Sequence, residues 1–485
     1  METAKRKVLM LADSPTVATG FAQVARNILK VLTDTGLYDI DIIGINFDGS
    51  YYDREKFPYQ IYPACQPLRG GSYQDLFGRQ IFLDMIGTGI YDLCFIIQDT
   101  FIIQDIGPQI QQTNDDFPAD KKFKMIYYFP IDAEPKKKWV DNSVLVSDFP
   151  VAYTKYALDE CLKVYDKAIE GKPDEDKEKK LNQIARELLN AKMNVIYHGV
   201  NHKDFYQMEA EKQKELKKKW FGSNADKFIF MNLNRNQPRK DMLRSMMACK
   251  RLKEKRLAKG KDDVYFYFHC LYNDSVGINL VEVGKQIGLE YKKDFAFPNP
   301  QKFDPSTGFS LSDLNELYNS VDAVFSTTLG EGFGLSALEG MQVGKPILMP
   351  DNTSMNEIIG DNQRGFKIAS GSCDEEFVAL ANDNDRVRPL TNIEDMADKM
   401  EACIDNPELV KEITTKASEW IKELHWDGEI IGKKWIMLFD EAYKANLKVR
   451  EAASIDFTQL KRNDLCPICQ TKIKNCPHYR LTSVN

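Results

Sequence analysis

Apolar and polar positions along this chain follow two rhythms. Short, nearly continuous apolar runs, KVLMLAD (7–13), IDIIGIN (40–46), YDLCFII (91–97) and KMIYYFP (124–130), are each followed by polar or turn-forming residues. Runs of this length predict strands buried on both faces, as in a parallel sheet covered by helices. Between the first two, Ala22–Leu32 sets Val24, Ile28, Leu29 and Leu32 on one helical face. Strand, glycine-containing loop SPTVATGF and helix, in that order, predict a Rossmann-type opening. A second series follows: FIFMNLN (228–234), VYFYFHC (264–270), DFAFP (294–298), AVFST (323–327) and PILMP (346–350), with helical patterns between them. The charged stretch Lys163–Lys192, containing GKPDEDKEKK, predicts a solvated helical excursion at the edge of the first half. KMNVIYHGVN (192–201) opens the second half. A last helix is predicted over Asp427–Leu447, where Ile430, Ile431, Trp435, Ile436, Phe439 and Tyr443 form a broad apolar face.

The pattern predicts an α/β chain with Rossmann-like domains over 1–195 and 196–425, a helix over 426–450 and a short tail over 461–485. A length of 485 residues suits two cores better than one. With 43% apolar and 28% charged residues the composition is that of a globular protein. The formal net charge of −7 excludes a general basic footprint for nucleic acid, though a local basic patch stays compatible with it. No run of 18 apolar residues occurs, so neither a signal peptide nor a membrane span is expected. Cys65, Cys94, Cys161, Cys249, Cys270, Cys373 and Cys403 are scattered singly, as in reduced proteins, and a cytoplasmic location is expected.

The most informative stretch is STTLGEGFGLSALEGMQVGKPILMP (326–350). Gly330, Gly332 and Gly334 allow the backbone to approach a ligand closely. The helix expected to begin near Leu335 offers free N–H groups and a positive dipole end, which suit a diphosphate. Glu331 and Glu339 bracket this turn. Carboxylates are poor partners for phosphate and good acceptors for the hydroxyls of a sugar ring and a ribose. A lone G-x-G would only shape a βα turn; the whole constellation is what carries information.

That constellation resembles the E-x7-E signature of the retaining glycosyltransferases that include sucrose synthase-like, glycogen synthase-like and mannosyltransferase enzymes. The matching residues run from Glu331 through Gly332, Phe333, Gly334 and Leu335 to Glu339, then Gly344–Lys345–Pro346. NLNRNQPRKDM (232–242), IYHGVNHKDF (196–205), NTSMNEIIGDNQRGF (352–366, with Glu357) and ELHWDGEIIGKKWIMLFDEAY (423–443) resemble further elements of the family, in its order. The resemblance is strong from about 192 to 445 and weaker before.

The resemblance implies a GT-B fold, with two Rossmann-like domains facing a cleft and the final helix crossing back onto the first. It implies transfer from a nucleotide sugar, UDP- or GDP-linked, with retention and without a catalytic metal. Glu331 would hold sugar hydroxyls, Glu339 the ribose, and Arg235 and Lys240 the diphosphate. The backbone of Gly332, Phe333, Gly334 and Leu335 would line the donor pocket, with Thr19 and Gly20 near the phosphates. Asp132, in YYFPIDAEP (127–135), stands where a strand of the first domain ends; it would bind the acceptor or the transferred sugar, or simply form the turn before Pro135. Two D-x-D strings, Asp39–Asp41 and Asp383–Asp385, read as chance.

The acceptor is open: a glycan, a small molecule, a protein or a hydroxylated DNA base. A non-catalytic nucleotide-sugar-binding scaffold is a further alternative, against which the intact Arg235, Lys240, Glu331 and Glu339 speak. In the tail, LCPICQTKIKNCPHY (465–479) offers Cys466, Cys469, Cys476 and His478 for a structural zinc ion, with a reduced, unstructured tail as the alternative.

Overall fold

A computed structural model describes residues 5–67, 74–299, 303, 308–426, 430–454 and 472. The first domain is a seven-stranded sheet of β1 (Arg6–Asp13), β2 (Tyr38–Ile45), β3 (Gln60–Pro63), β4 (Leu93–Ile97), β5 (Lys124–Phe129), β6 (Phe149–Ala152) and β7 (Asn194–Val195). Their order across the sheet is β3-β2-β1-β4-β5-β6-β7, every pairing parallel. The second domain repeats the plan with β8 (Phe228–Asn232), β9 (Val264–Phe268), β10 (Phe295–Ala296), β11 (Ala323–Phe325), β12 (Ile347–Pro350) and β13 (Phe366–Ile368). Their order is β10-β9-β8-β11-β12-β13, again parallel. In both sheets the strand order reverses beside the first strand, and ligands of open α/β sheets bind at the carboxyl edge there.

The apolar runs read from the sequence are these strands, buried because helices cover both faces. Leu9, Met10, Leu11 and Ala12 of β1 and Leu93 to Ile97 of β4 are almost wholly inaccessible. The run 192–201, expected to open the second half, gives Asn194–Val195 to the first sheet, where they pair with Val151–Ala152. The charged excursion is two helices, α2 (Lys155–Ile169) and α3 (Lys177–Lys192), tied by Arg186 to Asp166.

The last helix, α8 (Ile431–Ser454), crosses back onto the first domain. Trp435 packs at 5.6 Å on Phe95 and at 4.7 Å on Tyr128, while Arg450 pairs with Asp92 at 2.7 Å. Of the face expected for this helix, Ile430 lies 42% exposed before its first residue, and the seat is made by Ile431, Trp435, Leu438 and Phe439. The proposed zinc ligands Cys466, Cys469, Cys476 and His478 lie outside the described residues. Cys94, Cys161, Cys249, Cys270, Cys373 and Cys403 are unbridged thiols. No helix among the described residues is long and apolar enough to cross a membrane.

The element nearest the cleft that the sequence reading lacks lies in the second domain. Between β13 and the helix Ile393–Asp405 the chain makes an antiparallel hairpin, β14 (Phe377–Ala379) and β15 (Val387–Pro389). This connection is far longer than the 2–6 residues usual in such units, and long connections of this kind tend to be functional. It reaches back over the cleft to the first domain.

Candidate active site

The two carboxyl edges face each other across a cavity of about 1710 Å³. Its floor on the second domain is the turn 330–334. Gly334 has φ +105°, a conformation side chains resist, and caps α6 (Leu335–Gln342) without a side chain of its own. Gly330 and Gly332 meet a different requirement. A Cβ on Gly332 would stand 2.4 Å from Pro130 Cβ, and one on Gly330 would stand 2.1 Å from the Asp132 carbonyl oxygen. Glycine here lets the second-domain turn press against the loop after β5 of the first domain. Thr353 receives the Glu331 N–H at 2.9 Å, and Ser354 donates to the Glu331 carbonyl at 2.6 Å, so the turn is held from behind.

Lys240 reaches this turn from the loop after β8. Pro238–Lys240 is a short 3-10 turn, and Asp241, at φ +46°, caps α4 (Met242–Ala258) by accepting from the Arg244 N–H. The Leu329 N–H donates to the Arg239 carbonyl at 2.9 Å, binding the two loops together. Lys240 thereby donates directly to Glu331, and Arg239 lies 3.6 Å from its second oxygen. Burial, the largest single influence on Glu331, pushes its pKa up, but Lys240 and Arg239 together outweigh it and hold it at about 2. Burial and the neighbouring Arg239 push Lys240 down to about 8 against the pull of Glu331. The site is therefore a carboxylate and two cations at neutral pH.

Arg235 also lines the cavity, but nearer its mouth, where it is 60% exposed. Asp274 grips its fork, with Nε to Oδ2 at 2.9 Å and Nη2 to Oδ1 at 3.2 Å. Glu339 lies in the second turn of α6 and is buried, which raises its pKa. Its oxygens accept from Gln23 of the first domain at 2.9 Å and from the Tyr318 hydroxyl at 2.7 Å.

The first domain contributes α1 (Gly20–Asp34), whose N-cap is Thr19. The Thr19 hydroxyl accepts from the Ala22 N–H and donates to Asp13 at 2.5 Å. A Cβ on Gly20 would touch Leu335 at 3.4 Å, so the N-termini of α1 and α6 meet across the cleft. Asp132 stands beyond β5, with Arg239 at 3.4 Å and Arg388 at 3.3 Å. It is an ion-paired residue of the cavity wall and more than a turn former. Asp99, just past β4, is pushed up to about 7 by burial and by the nearby charge of Asp132.

The residues expected from the sequence, Thr19, Gly20, Asp132, Arg235, Lys240, Glu331 to Leu335 and Glu339, thus line one cavity. Several others in its wall carried no signal in the sequence: Gln23, Asp99, His198, Arg239 and Arg388. Arg388, on β15, donates to the Asp132 carbonyl at 2.6 Å and pairs with Asp383. Asp383, read as a chance member of a D-x-D string, is a cavity residue whose carboxylate Arg388 takes; Asp385 pairs with Lys136 of the first domain.

Residues 213–383 match the family of glycosyl transferases group 1. Among sequences, the chain is 26% identical over 157 residues to alpha-1,3/1,6-mannosyltransferase ALG2 of Dictyostelium discoideum, a stretch covering 29% of this chain and 34% of that protein. A shorter match, 38% over 60 residues, is to EpsD of Bacillus subtilis (strain 168), covering 12% of this chain and 16% of that protein. The chain thus spans about a third or less of the length of these relatives. Solved structures align over nearly the whole chain. HepE of Anabaena, in complex with UDP and glucose, has a TM-score of 0.60 at 16% identity, covering 90% of this chain and 100% of that one. Sucrose-phosphate synthase of Thermosynechococcus elongatus has a TM-score of 0.61 at 12% identity, covering 91% and 100%. At such identities the likeness establishes the fold. Two facing Rossmann-like domains and a crossing final helix make this a GT-B fold, and within it residues 213–383 carry the match to the glycosyl transferases group 1.

Proposed function

We propose that the chain is a retaining glycosyltransferase that moves a sugar from a nucleotide sugar, UDP-linked in the first instance, to a hydroxyl acceptor. The observation that carries this reading is the cluster of Lys240, Arg239 and Glu331 at the N-terminus of α6, inside the cleft. The cations and the helix start supply the charge that a leaving diphosphate needs, a stabilisation aimed at charge developing in the transition state. Arg235 closes the phosphate side from the cavity mouth. Glu331, ionised and anchored by Lys240, keeps lone pairs for sugar hydroxyls, and Glu339 serves the ribose in exchange for its bond to Gln23. The UDP in the HepE structure supports the choice of nucleotide.

Transfer on the front face needs no protein nucleophile. The bond from the anomeric carbon to the diphosphate breaks, the bond to the acceptor oxygen forms on the same side, and the acceptor's proton passes to the leaving phosphate oxygen. Arg239, Lys240 and Arg235 are proposed to do the work of a divalent cation, so transfer is expected to continue in EDTA. The cavity exceeds the roughly 300–1,000 Å³ of a single small-molecule pocket, which leaves room for donor and acceptor together. A thermal-shift panel of UDP-, GDP- and ADP-sugars tests the reading, since a ligand that binds only the folded state raises its melting temperature. A rise with at least one of them is expected; no rise with any would overturn it.

A further inference from the structure

His198 lies on the segment that leads from β7 into the second domain and is 2% exposed. It packs at 4.5 Å, tilted, against Phe333, the centre of the glycine turn, and edge-on at 4.2 Å against Tyr153 of the first domain. Its Nδ1 is 2.7 Å from the Tyr128 hydroxyl, and the same hydroxyl is 2.7 Å from the Ile196 carbonyl oxygen. These two distances decide the tautomer. A phenol has one proton and a carbonyl oxygen only accepts. Tyr128 therefore donates to Ile196, and His198 Nδ1 carries a proton that it donates to Tyr128.

Burial holds the imidazole pKa down at about 3, so at neutral pH the ring has no second proton. Nε2 is then a bare lone pair. His198 lines the cavity, and among the described residues no group donates to Nε2. A neutral imidazole protonated at Nδ1 offers at Nε2 an acceptor and no donor, and here that acceptor belongs to a residue of the cavity wall.

We propose that His198 Nε2 accepts a hydrogen bond from a hydroxyl of the transferred sugar and is a specificity-determining residue of the donor site. The assignment rests on the proposed function, because the ring packs on Phe333 beside the carboxylate assigned to the sugar. Tyr128 is a positioning residue: by occupying Nδ1–H it stops the ring from presenting a donor to the cavity. A pocket built this way favours a hydroxyl that can donate and rejects a group that can only accept.

The test uses the whole chain, with UDP and the best-binding nucleotide sugar of the panel as probes. Nitrogen-15 spectra of the histidine side chains are expected to show a neutral ring protonated at Nδ1 for His198. His198→Phe keeps an aromatic ring in place and removes the acceptor. It is expected to leave UDP affinity within about twofold of wild type and to weaken the nucleotide sugar about tenfold, the worth of one hydrogen bond. His198→Gln, whose amide oxygen can still accept, should recover part of that loss. Tyr128→Phe should allow the other tautomer and weaken the nucleotide sugar without weakening UDP. Equal losses for UDP and the nucleotide sugar, or identical behaviour of His198→Phe and His198→Gln, would make the ring packing alone and overturn the assignment. A proton found on Nε2 would overturn it as well. If no nucleotide sugar binds wild type, the proposed function fails first and the ligand assigned here fails with it, whereas the tautomer remains measurable independently.

Discussion

Lys240 should make nucleoside diphosphate binding depend on pH in a way that can be calculated. Its pKa in the protein alone is about 8, against 10.5 for an ordinary lysine. A diphosphate beside it favours the charged form, so the bound state regains a value near the ordinary one. The sign follows: below pH 8 the lysine is charged before and after binding, and above it binding must take up a proton. Restoring the ordinary value implies a loss of affinity of about tenfold between pH 7 and pH 9, with uptake of roughly 0.9 proton at pH 9. Asp99 contributes at lower pH. With a pKa of about 7 it gains negative charge on the same cavity wall as pH rises through neutrality, which also weakens an anionic ligand. Titration calorimetry of UDP in buffers of different ionisation enthalpy measures both effects. Asp99→Asn should remove the change near pH 7 and leave the later fall; Lys240→Met should bind weakly and show no fall between pH 8 and 9. An affinity that stays flat from pH 7 to 9 in wild type, or the same slope in Lys240→Met, would refute the placement of the diphosphate beside Lys240.

Other substitutions separate the roles of neighbouring residues. Glu331→Gln should lower turnover about a hundredfold, as loss of a group acting on the transition state does. Because Glu331 supports the charge of Lys240, the pH at which UDP affinity begins to fall should also move below that of wild type; an unmoved profile would separate the two residues. Gly332→Ala places a Cβ 2.4 Å from Pro130 and should wedge the domains apart. Transfer is expected to drop about a hundredfold while UDP affinity, carried mainly by the second domain, changes little; normal transfer would show that this contact is not needed. Arg388→Met leaves Asp132 and Asp383 facing each other, the first 33% and the second 18% exposed. Breaking such a partly buried pair should cost about 2 kcal/mol in urea unfolding, less than a fully buried one. The added change Asp383→Asn should recover part of it, and additive losses would deny the coupling.

The parts of the fold that were legible in the sequence are those where burial on both faces leaves continuous apolar runs, such as Lys7–Asp13 and Lys124–Pro130. The turn 330–334 was legible for a related reason, since close approach of backbone to backbone demands glycine and the helix behind it demands a capped start. Short strands were not. Gln60–Pro63 at the sheet edge and Phe149–Ala152 inside it are four residues each and carry too few side chains for a period. The hairpin 377–389 was invisible because three of its strand residues, Phe377, Ala379 and Val387, are exposed and its turn is polar. The sequence points to Lys240 and gives no sign of Arg239. Both adjoin the same turn, and both act on Glu331 only because the Leu329–Arg239 backbone bond brings the loops together. Asp383 reads in the sequence as a polar loop residue, and only the fold brings Arg388, five positions on, to bind it within the cavity wall.

The most direct test of the donor site is calorimetric titration of UDP, GDP and ADP, each alone and as its hexose conjugate, into wild type, Arg235→Ala and Lys240→Met at pH 7. At least one nucleotide should bind wild type, and each substitution should weaken it by about ten- to a hundredfold, the loss expected for a charged hydrogen bond to phosphate. Wild-type binding that both variants retain in full would put the nucleotide elsewhere, and the absence of binding by every nucleotide would contradict the function proposed for the cleft.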